Sequence, residues 1–464
     1  MTDMKFTRFV GWRNSNRLYR SALSDPRTRK LDFRPDAGNI RLDFLLDGQP
    51  YTVPMSPTVR DLVDVAAMIY VADELSARDA TVDRWSRRFE TIVPVRAPSA
   101  WCRSTESLTE ALAFLSGDSY AFEWVRTSSV PTLRNHVAQL SDGFDVVCLF
   151  SGGLDSFVGA LRLLNAGRRA ILIGHQADGV TSSAQKEAFD FFKQRFGDRV
   201  SFVQAAMRQS PRPHPEFDLG EKRETSHRPR SFLFLTLAVA VAQAASIQEI
   251  VIAENGLIAV NPPLNISRVG TLSTRTAHPK FIHLYTRFLR EVGAFEGRIH
   301  NPFMYLSKTD VVRLADRRLR ARLRSTLSCS HLGRTRWTDF RGQHCGYCVP
   351  CLYRRASLYA IGADAAEDYY RDVFTQYDTL TNNERADVAA LVSFARHVSG
   401  MSTAQKIATA TAHGTVVQGS FASIGPDVED PYIAWAEMLS RWSSEFVAMA
   451  RNLSPRQTRR RLAL

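Results

Sequence analysis

The chain of 464 residues lacks any long hydrophobic run and any pattern typical of a secretory signal. Its longest apolar stretch, Phe232 to Ala245, covers about 14 residues, which is too few to span a bilayer. Because it also carries Thr236 and Gln243, we expect a buried helix there. Internal repeats and low-complexity tracts are absent from the sequence. These features predict a cytoplasmic globular protein of two or three domains, without a membrane segment.

Acidic residues are the scarcer charged class. The chain has 60 Lys and Arg against 47 Asp and Glu, a net charge of +13 and a pI near 9.7. Arginines concentrate before the late cysteines and at the C-terminus (Arg313, Arg317, Arg318, Arg320, Arg322, Arg324, Arg456, Arg459, Arg460 and Arg461). This balance favours anionic partners such as nucleotides, nucleic acid or an acidic protein face. A solvated helix and a frayed tail would also account for the C-terminal arginines.

The most informative motif is Ser-Gly-Gly-Leu-Asp-Ser at 151–156, which follows the apolar run Phe144–Phe150 and precedes a helical pattern. The two glycines permit positive φ, and the start of a helix offers unpaired N–H donors. Such a turn is a ready anion site. The loop has no lysine and does not match G-x-x-x-x-G-K-[ST], which excludes a P-loop ATPase. We expect Asp155 to face solvent. The alternative to an anion site is an ordinary strand-to-helix turn.

The late cysteines form the second motif. Cys345, Cys348 and Cys351 are separated by two-residue gaps, and Cys329 lies upstream. Four thiolates with this spacing suit a tetrahedral zinc site, whereas C-x-x-C disulfides would close small, strained loops. An iron–sulfur cluster remains an alternative, because thiolates at these gaps also bind iron.

These motifs, in this order, resemble the QueC family of PP-loop ATP pyrophosphatases, the 7-cyano-7-deazaguanine synthases. Three further segments resemble the family between the two motifs: Pro229–Ala238, Asn301–Asp310 and Arg324–Cys329. Arg354 matches the arginine that follows the zinc site. The resemblance covers about residues 143–362.

The resemblance implies an ATP-dependent carbon–nitrogen ligase that adenylates the carboxylate of 7-carboxy-7-deazaguanine and passes it to a nitrogen nucleophile. It implies ATP, Mg²⁺ and Zn²⁺ as cofactors. The expected phosphate-binding residues are Ser151, Gly152, Gly153, Leu154, Asp155 and Ser156. Asp155, Ser156, Arg230 and Lys308 are the expected catalytic residues, with Asp155 near Mg²⁺. Cys329, Cys345, Cys348 and Cys351 are the expected zinc ligands.

Strand ends supply three more candidates. Glu254 and Asn255 follow a predicted strand, where open α/β sheets bind their substrates, although Asn255-Gly256 would also make a simple turn. His175 ends another predicted strand and is a candidate for the nucleotide pocket.

The acceptor half of the family pattern is altered. The family's Tyr-Gly-Gln segment is not recognisable in Gly174–Gly179, and Gly270–Pro279 replaces its acidic, cysteine-bearing strip. In this respect the chain resembles the long, divergent relatives found in bacterial anti-phage defence systems (QatC-like). That resemblance implies that the chemistry is redirected, with an acidic protein from a neighbouring gene as a possible partner; nucleic acid is a further candidate.

The pattern along the chain predicts an α/β fold with a doubly wound, mostly parallel sheet. We expect an N-terminal α/β module at 1–142, the PP-loop domain with the zinc site at 143–362, and a helical extension at 363–464. The polar segment 208–229 is a candidate lid.

Two other functions fit parts of the sequence. A PP-loop tRNA-modifying enzyme would need paired reactive cysteines, and four closely spaced thiolates argue against it. A zinc-containing nucleic-acid-binding protein without turnover would explain the basic charge, but not the intact Asp155 and Ser156.

Overall fold

The structure is a computed structural model, and it describes residues 7–12, 24, 28–33, 40–78, 81, 83, 85–128, 139–176, 179–209, 224, 226–261, 275, 277–331, 343–411 and 420–464. The strands are β1 (Thr7–Trp12), β2 (Thr28–Asp32), β3 (Ile40–Leu46), β4 (Gln49–Tyr51), β5 (Arg88–Val95), β6 (Ser119–Arg126), β7 (Val146–Leu149), β8 (Ala170–His175), β9 (Val200–Gln209), β10 (Glu249–Val251) and β11 (Arg298–His300).

The α-helices are α1 (Pro57–Glu74), α2 (Pro98–Arg103), α3 (Thr105–Ser116), α4 (Leu154–Asn165), α5 (Gly179–Phe196), α6 (Arg230–Ala244), α7 (Gly256–Val260), α8 (Pro279–Val292), α9 (Lys308–Arg313), α10 (Arg320–Arg324), α11 (Val349–Ala360), α12 (Asn382–Gly400), α13 (Thr403–Thr411), α14 (Ser420–Ile424), α15 (Pro431–Leu453) and α16 (Arg456–Arg461). Short 3₁₀ turns lie at Gly197–Arg199, Arg317–Leu319, Ala366–Asp368 and Tyr377–Thr379.

A seven-stranded sheet in the order β11-β10-β7-β8-β9-β3-β4 forms the centre. The strands from β11 to β9 are parallel, and helices connect them. The central strands β7 and β8 are almost entirely apolar because helices cover both faces of such a sheet. The predicted doubly wound α/β fold is confirmed. The carboxyl ends of β7, β8 and β10 meet at one edge, which is where open α/β sheets bind ligands.

The N-terminal region contributes to this sheet. The hairpin β3–β4 turns at Asp47 and Gly48, both with positive φ (49° and 85°), and β3 pairs antiparallel with β9. The sheet therefore crosses the expected boundary at 142, and the three-domain division stays a prediction. A second, four-stranded parallel sheet, β2-β1-β5-β6, also lies in this region.

Helix α6 is apolar on all sides and buried, as expected for the Phe232–Ala245 stretch. Helix α1 packs against it, and the Ser56 amide donates to Gln243 Oε1 at 3.1 Å. The N-terminal region is thus attached to the central layer by sheet pairing and by helix packing.

The C-terminal region is helical, as predicted, and α15 packs on α11 and α12 with Trp435 and Trp442 buried. Within the described residues, no helix combines the length and the apolar character needed to cross a membrane. Most of the candidate lid, 208–229, and of Gly270–Pro279 lies outside the described residues.

Candidate active site

The Ser151–Ser156 motif forms the predicted turn between β7 and α4. Gly152 has φ 74°, and a Cβ at this position would lie 3.1 Å from the Gln185 backbone nitrogen. The Gly153 amide donates to Ser151 Oγ at 3.2 Å, and Ser156 Oγ donates to the Gly153 carbonyl at 3.0 Å. Ser151 and Ser156 hydroxyls are also 3.1 Å apart. The loop is therefore fixed by its own contacts at the start of a helix.

A cavity of about 470 Å³ lies over this loop at the carboxyl edge of the sheet. Its lining brings together most of the predicted site residues: Ser151, Gly153, Leu154, Asp155, Ser156, His175, Arg230, Glu254, Lys308 and Cys329. Gly152 and Asn255 do not line it; Gly152 shapes the turn from behind, and its carbonyl accepts from the Leu327 amide at 3.1 Å. Residues distant in sequence thus share one site.

Asp155 does not face solvent, so that expectation is wrong. It is 5% exposed, and Lys308 Nζ lies 2.7 Å from its Oδ1. Asn255 Nδ2 donates to Oδ2 at 2.6 Å, and the Asn255 backbone amide also approaches it at 3.3 Å. Burial follows because Asp155 is in the first turn of α4, on the side that faces β10 and α9. Both carboxylate oxygens already have partners, which limits direct Mg²⁺ coordination.

Asn255 lies behind the cavity rather than in its wall. Its side-chain oxygen caps α7 by accepting from the Ile258 amide at 3.3 Å, while its nitrogen holds Asp155. Asn255 was expected either to contact substrate or to form a simple turn, and neither expectation describes it fully. In the structure it starts α7 and orients the Asp155 carboxylate.

Glu254 extends into the cavity beside Asp155. Its burial, together with the negative charge of Asp155, raises the pKa of the Glu254 carboxyl to about 7, although Lys308 and Arg230 act in the opposite direction. A carboxyl with this pKa can accept or release a proton near neutral pH. The structure thus gives Glu254 a property that the sequence did not indicate.

Arg230 and His175 form another part of the wall. Burial lowers the pKa of the Arg230 guanidinium, which the Glu254 carboxylate partly offsets. Burial and nearby His227 lower the pKa of His175 to about 4, so its ring is neutral at pH 7. Both ring nitrogens of His175 are buried without a protein hydrogen-bond partner among the described residues.

Three of the predicted cysteines, Cys345, Cys348 and Cys351, are buried together, and Cys329 packs against them and lines the cavity. Cys345 and Cys351 Sγ atoms are 3.8 Å apart, which matches the edge of about 3.8 Å for a tetrahedron with ~2.3 Å zinc–sulfur bonds. Cys329, His331, Cys345 and Cys348 offer ligand atoms within 4.8 Å of one another. The donor set therefore fits zinc and includes a histidine that the spacing analysis missed.

His331 follows Cys329 by two positions, and its Nδ1 lies 3.4 Å from Cys345 Sγ. Five donors are thus available for four coordination positions. If Cys351 is the fourth ligand, His331 would hydrogen-bond to a zinc-bound thiolate. If His331 is the fourth ligand, the ligand set is Cys₃His. The Cys-x-His spacing was the available sequence clue.

The cysteine cluster is connected to the Ser151–Ser156 loop. Leu327 bridges to Gly153, and two residues later Cys329 lines the cavity. Arg354 is fully buried beneath this segment and donates to Thr326 Oγ1 at 2.9 Å and to the Arg324 carbonyl at 2.6 Å. Metal binding at the cluster would therefore stabilise one wall of the cavity.

Gln185 is another cavity residue that sequence analysis missed. It is 1% exposed, and its Nε2 donates to the carbonyls of Phe150 at 3.2 Å and His175 at 3.4 Å. It thereby ties the ends of β7 and β8. A glutamine inside a helical pattern gives no sequence clue to such a role.

Comparison with known families agrees with this geometry. Residues 145–362 match the family model described as "Queuosine biosynthesis protein QueC". The chain carries a QueC-like PP-loop domain. The match supports an ATP-utilising PP-loop enzyme related to 7-cyano-7-deazaguanine synthesis.

No curated protein matches the chain. A solved structure titled "Crystal structure of a ketoreductase domain from the bacillaene assembly line" aligns at 8% identity over 65% of this chain and 80% of that chain. Its TM-score of 0.23 is too low to carry any argument about fold or function.

Proposed function

We propose that this protein adenylates the carboxylate of 7-carboxy-7-deazaguanine, or a close analogue, and transfers the acyl group to a nitrogen nucleophile. The observation that carries the proposal is the cavity itself. It combines an anion-binding loop at a helix start, two cationic side chains and a carboxyl of near-neutral pKa. The match to the QueC family model supports the choice of substrate.

In the proposed first step, a substrate carboxylate oxygen attacks the α-phosphorus of ATP, and pyrophosphate leaves with the electrons of the broken P–O bond. Negative charge grows on the leaving group. The N–H groups of the loop, the start of α4 and the Arg230 guanidinium are suited to stabilise it because they are fixed beforehand. Lys308 is paired with Asp155, so we assign it mainly to holding that carboxylate.

In the proposed second step, the nitrogen attacks the acyl carbon, AMP leaves, and the nitrogen loses a proton to give an amide. Glu254 is suited to accept that proton because its pKa is about 7. With ammonia as nucleophile, a second ATP-driven dehydration would give the nitrile.

Two metals belong to the proposal. Zn²⁺ would be held by four of the five clustered donors, and it would supply folding energy to the cavity wall. Mg²⁺ would accompany the phosphates of ATP; Asp155 would reach it through water, since both of its oxygens have protein partners.

ATP–pyrophosphate exchange tests the first step. We expect exchange that depends on 7-carboxy-7-deazaguanine and is lost in Arg230→Ala. Arg169→Ala is the matched control, because this half-buried arginine lies over Phe144 at the opposite end of the strands. Exchange that requires tRNA instead would support a tRNA-modifying enzyme, and no exchange with any substrate would support a binding protein without turnover.

The nitrogen acceptor requires a separate test. The resemblance to defence-associated relatives motivates a protein amine on an acidic, cytoplasmic partner from a neighbouring gene, and the charge of +13 is compatible with it. Mass spectrometry after incubation with ATP, 7-carboxy-7-deazaguanine and the neighbouring gene products would identify the product. Accumulation of free 7-cyano-7-deazaguanine, without a mass increase on any protein, would refute the protein acceptor and the redirected chemistry.

A further inference from the structure

The chain that leads into Arg230 is held by the N-terminal region. The Glu224 amide donates to the Glu74 carbonyl at 2.9 Å, and the Arg78 amide donates to Glu224 Oε2 at 2.8 Å. Arg78 Nε also reaches Ser226 Oγ at 3.4 Å. Glu74 ends α1, so this helix and Arg78 hold Glu224 and Ser226, which precede Arg230 along the chain.

Arg228, two residues before Arg230, is also held by the N-terminal region. Its side chain is 5% exposed, its guanidinium lies 3.9 Å from the ring centre of Trp85, and it donates to the Ser116 carbonyl at 2.9 Å. Two residues later, the Arg230 amide donates to the His227 carbonyl at 3.2 Å and begins α6. The direction in which Arg230 leaves the backbone therefore depends on contacts with residues 85 and 116.

These N-terminal contacts are themselves rigid. Asp118 accepts two hydrogen bonds from the Arg78 guanidinium, at 2.8 and 2.7 Å, and three from Arg87, whose backbone amide, Nε and Nη2 donate at 2.9, 3.3 and 2.8 Å. Asp73 on α1 pairs with Arg87 as well. All four side chains are buried, so the network has few alternative arrangements and holds α1 against β5 and β6.

The N-terminal region also supplies an aromatic ring beside the cavity. Tyr70 on α1 packs edge-on against His175 with ring centres 5.9 Å apart, and it stacks on His227 at 6.1 Å. Phe234 closes on His175 from α6 at 5.3 Å. The imidazole is thus fixed between two rings while its nitrogens lack protein partners among the described residues.

We propose that the N-terminal region, residues 40–78 and 85–128, positions Arg230 and His175 in the nucleotide cavity, with Arg228 and Tyr70 as positioning residues. The inference rests on the proposed use of ATP. The region lies outside the stretch, residues 145–362, that matches the QueC model. Its physical effect is preorganisation: side chains already fixed in place lose less entropy when the ligand binds.

ATP dissociation constants, measured by equilibrium dialysis on the full chain, test the proposal through a double-mutant cycle. Arg230→Ala should weaken binding about 10- to 100-fold, as expected when a charged hydrogen bond is lost. Arg228→Ala should weaken it in the same direction, and the double variant should bind no worse than Arg230→Ala alone, because Arg228 acts through Arg230. Arg169→Ala should bind ATP normally.

Tyr70 gives a second arm. Tyr70→Leu should raise KM for ATP in the exchange assay with little change in kcat, whereas Tyr70→Phe should restore wild-type KM because it retains the ring. Thermal unfolding of each variant separates a local effect from a loss of fold. Normal ATP affinity in both Arg228→Ala and Tyr70→Leu, or fully additive losses in the cycle, would overturn the inference. Absence of ATP binding by the wild type would instead overturn the proposed function.

Discussion

The Lys308–Asp155 pair is the contact at the candidate site whose loss we expect to cost most stability. Both side chains are almost inaccessible, at 6% and 5% exposure, and the nitrogen and oxygen are 2.7 Å apart. Lys308→Met would leave the Asp155 carboxylate buried with Asn255 as its one remaining partner among the described residues. Asp155→Asn would leave the buried ammonium of Lys308 without its hydrogen-bonded counter-charge.

Removing one member of a buried ion pair typically costs ~3–5 kcal/mol, because the remaining charge is desolvated and unpaired. We therefore expect either single change to lower the free energy of unfolding by about this amount. The double variant Lys308→Met/Asp155→Asn leaves no uncompensated charge. Its cost should be clearly smaller than the sum of the single costs, with a coupling energy of at least ~2 kcal/mol.

Urea denaturation followed by far-UV circular dichroism measures these changes. The chain offers a matched control: Lys186 and Asp190 form an i,i+4 pair with the same 2.7 Å separation, but with 74% and 58% exposure. Lys186→Met should cost no more than about 0.5 kcal/mol, since exposed helical pairs contribute little. Equal costs for Lys308→Met and Lys186→Met would refute the argument that burial of the pair decides its contribution.

Three other predictions follow from the site. The purified protein should contain about one zinc per chain by elemental analysis, and the Cys348→Ser variant should lose it. The His331→Ala variant should retain zinc if Cys351 is the fourth ligand. Iron in place of zinc would contradict the assignment. The pKa of Glu254 rises from 4.5 to about 7 on folding, so between these pH values the folded state binds more protons than the unfolded state, and stability should fall as pH rises through this window. Glu254→Gln should lack that fall in urea titrations. Identical pH–stability profiles for the variant and the wild type would contradict the raised pKa. Gly346→Ala should cause loss of zinc and of stability, because φ is 85° and the new Cβ would lie 2.1 Å from a backbone oxygen. Gly362→Ala is the control, because φ is 67° there and the new Cβ would have no contact under 3.8 Å. The control should cost only about 1–2 kcal/mol from its backbone conformation, and zinc content and thermal unfolding measure both effects.

The sequence alone was sufficient for the features that depend on short-range patterns. The apolar run ending at Phe150, the two glycines and the helical pattern after Ser156 predicted the strand, turn and helix in their correct places. The C-x-x-C-x-x-C spacing predicted that these thiols lie close together. The alternation of strands and helices predicted a parallel sheet, because βαβ connections leave few other arrangements. Each of these conclusions uses residues that are near one another along the chain.

The N-terminal region shows where such patterns stop being informative. Its strand at 40–46 and its helix from Pro57 were predictable from alternation and helical spacing. That β3 pairs with β9 was not, since strand pairing depends on which edge is left free after the rest of the sheet has formed. As a consequence, α1 and the residues around it lie beside the cavity.

Tertiary structure also decided the environment of each site residue. Asp155 was expected to face solvent, but Asn255 and Lys308, which lie 100 and 153 positions away along the chain, enclose it. The raised pKa of Glu254 and the neutral ring of His175 arise from burial, which no local pattern reports. His331 joined the thiols because its backbone turn brings it back towards Cys345. Sequence therefore determined which chemical groups the loop and the cluster contain, whereas distance, burial and charge, which depend on the packing of remote segments, decided what those groups can do.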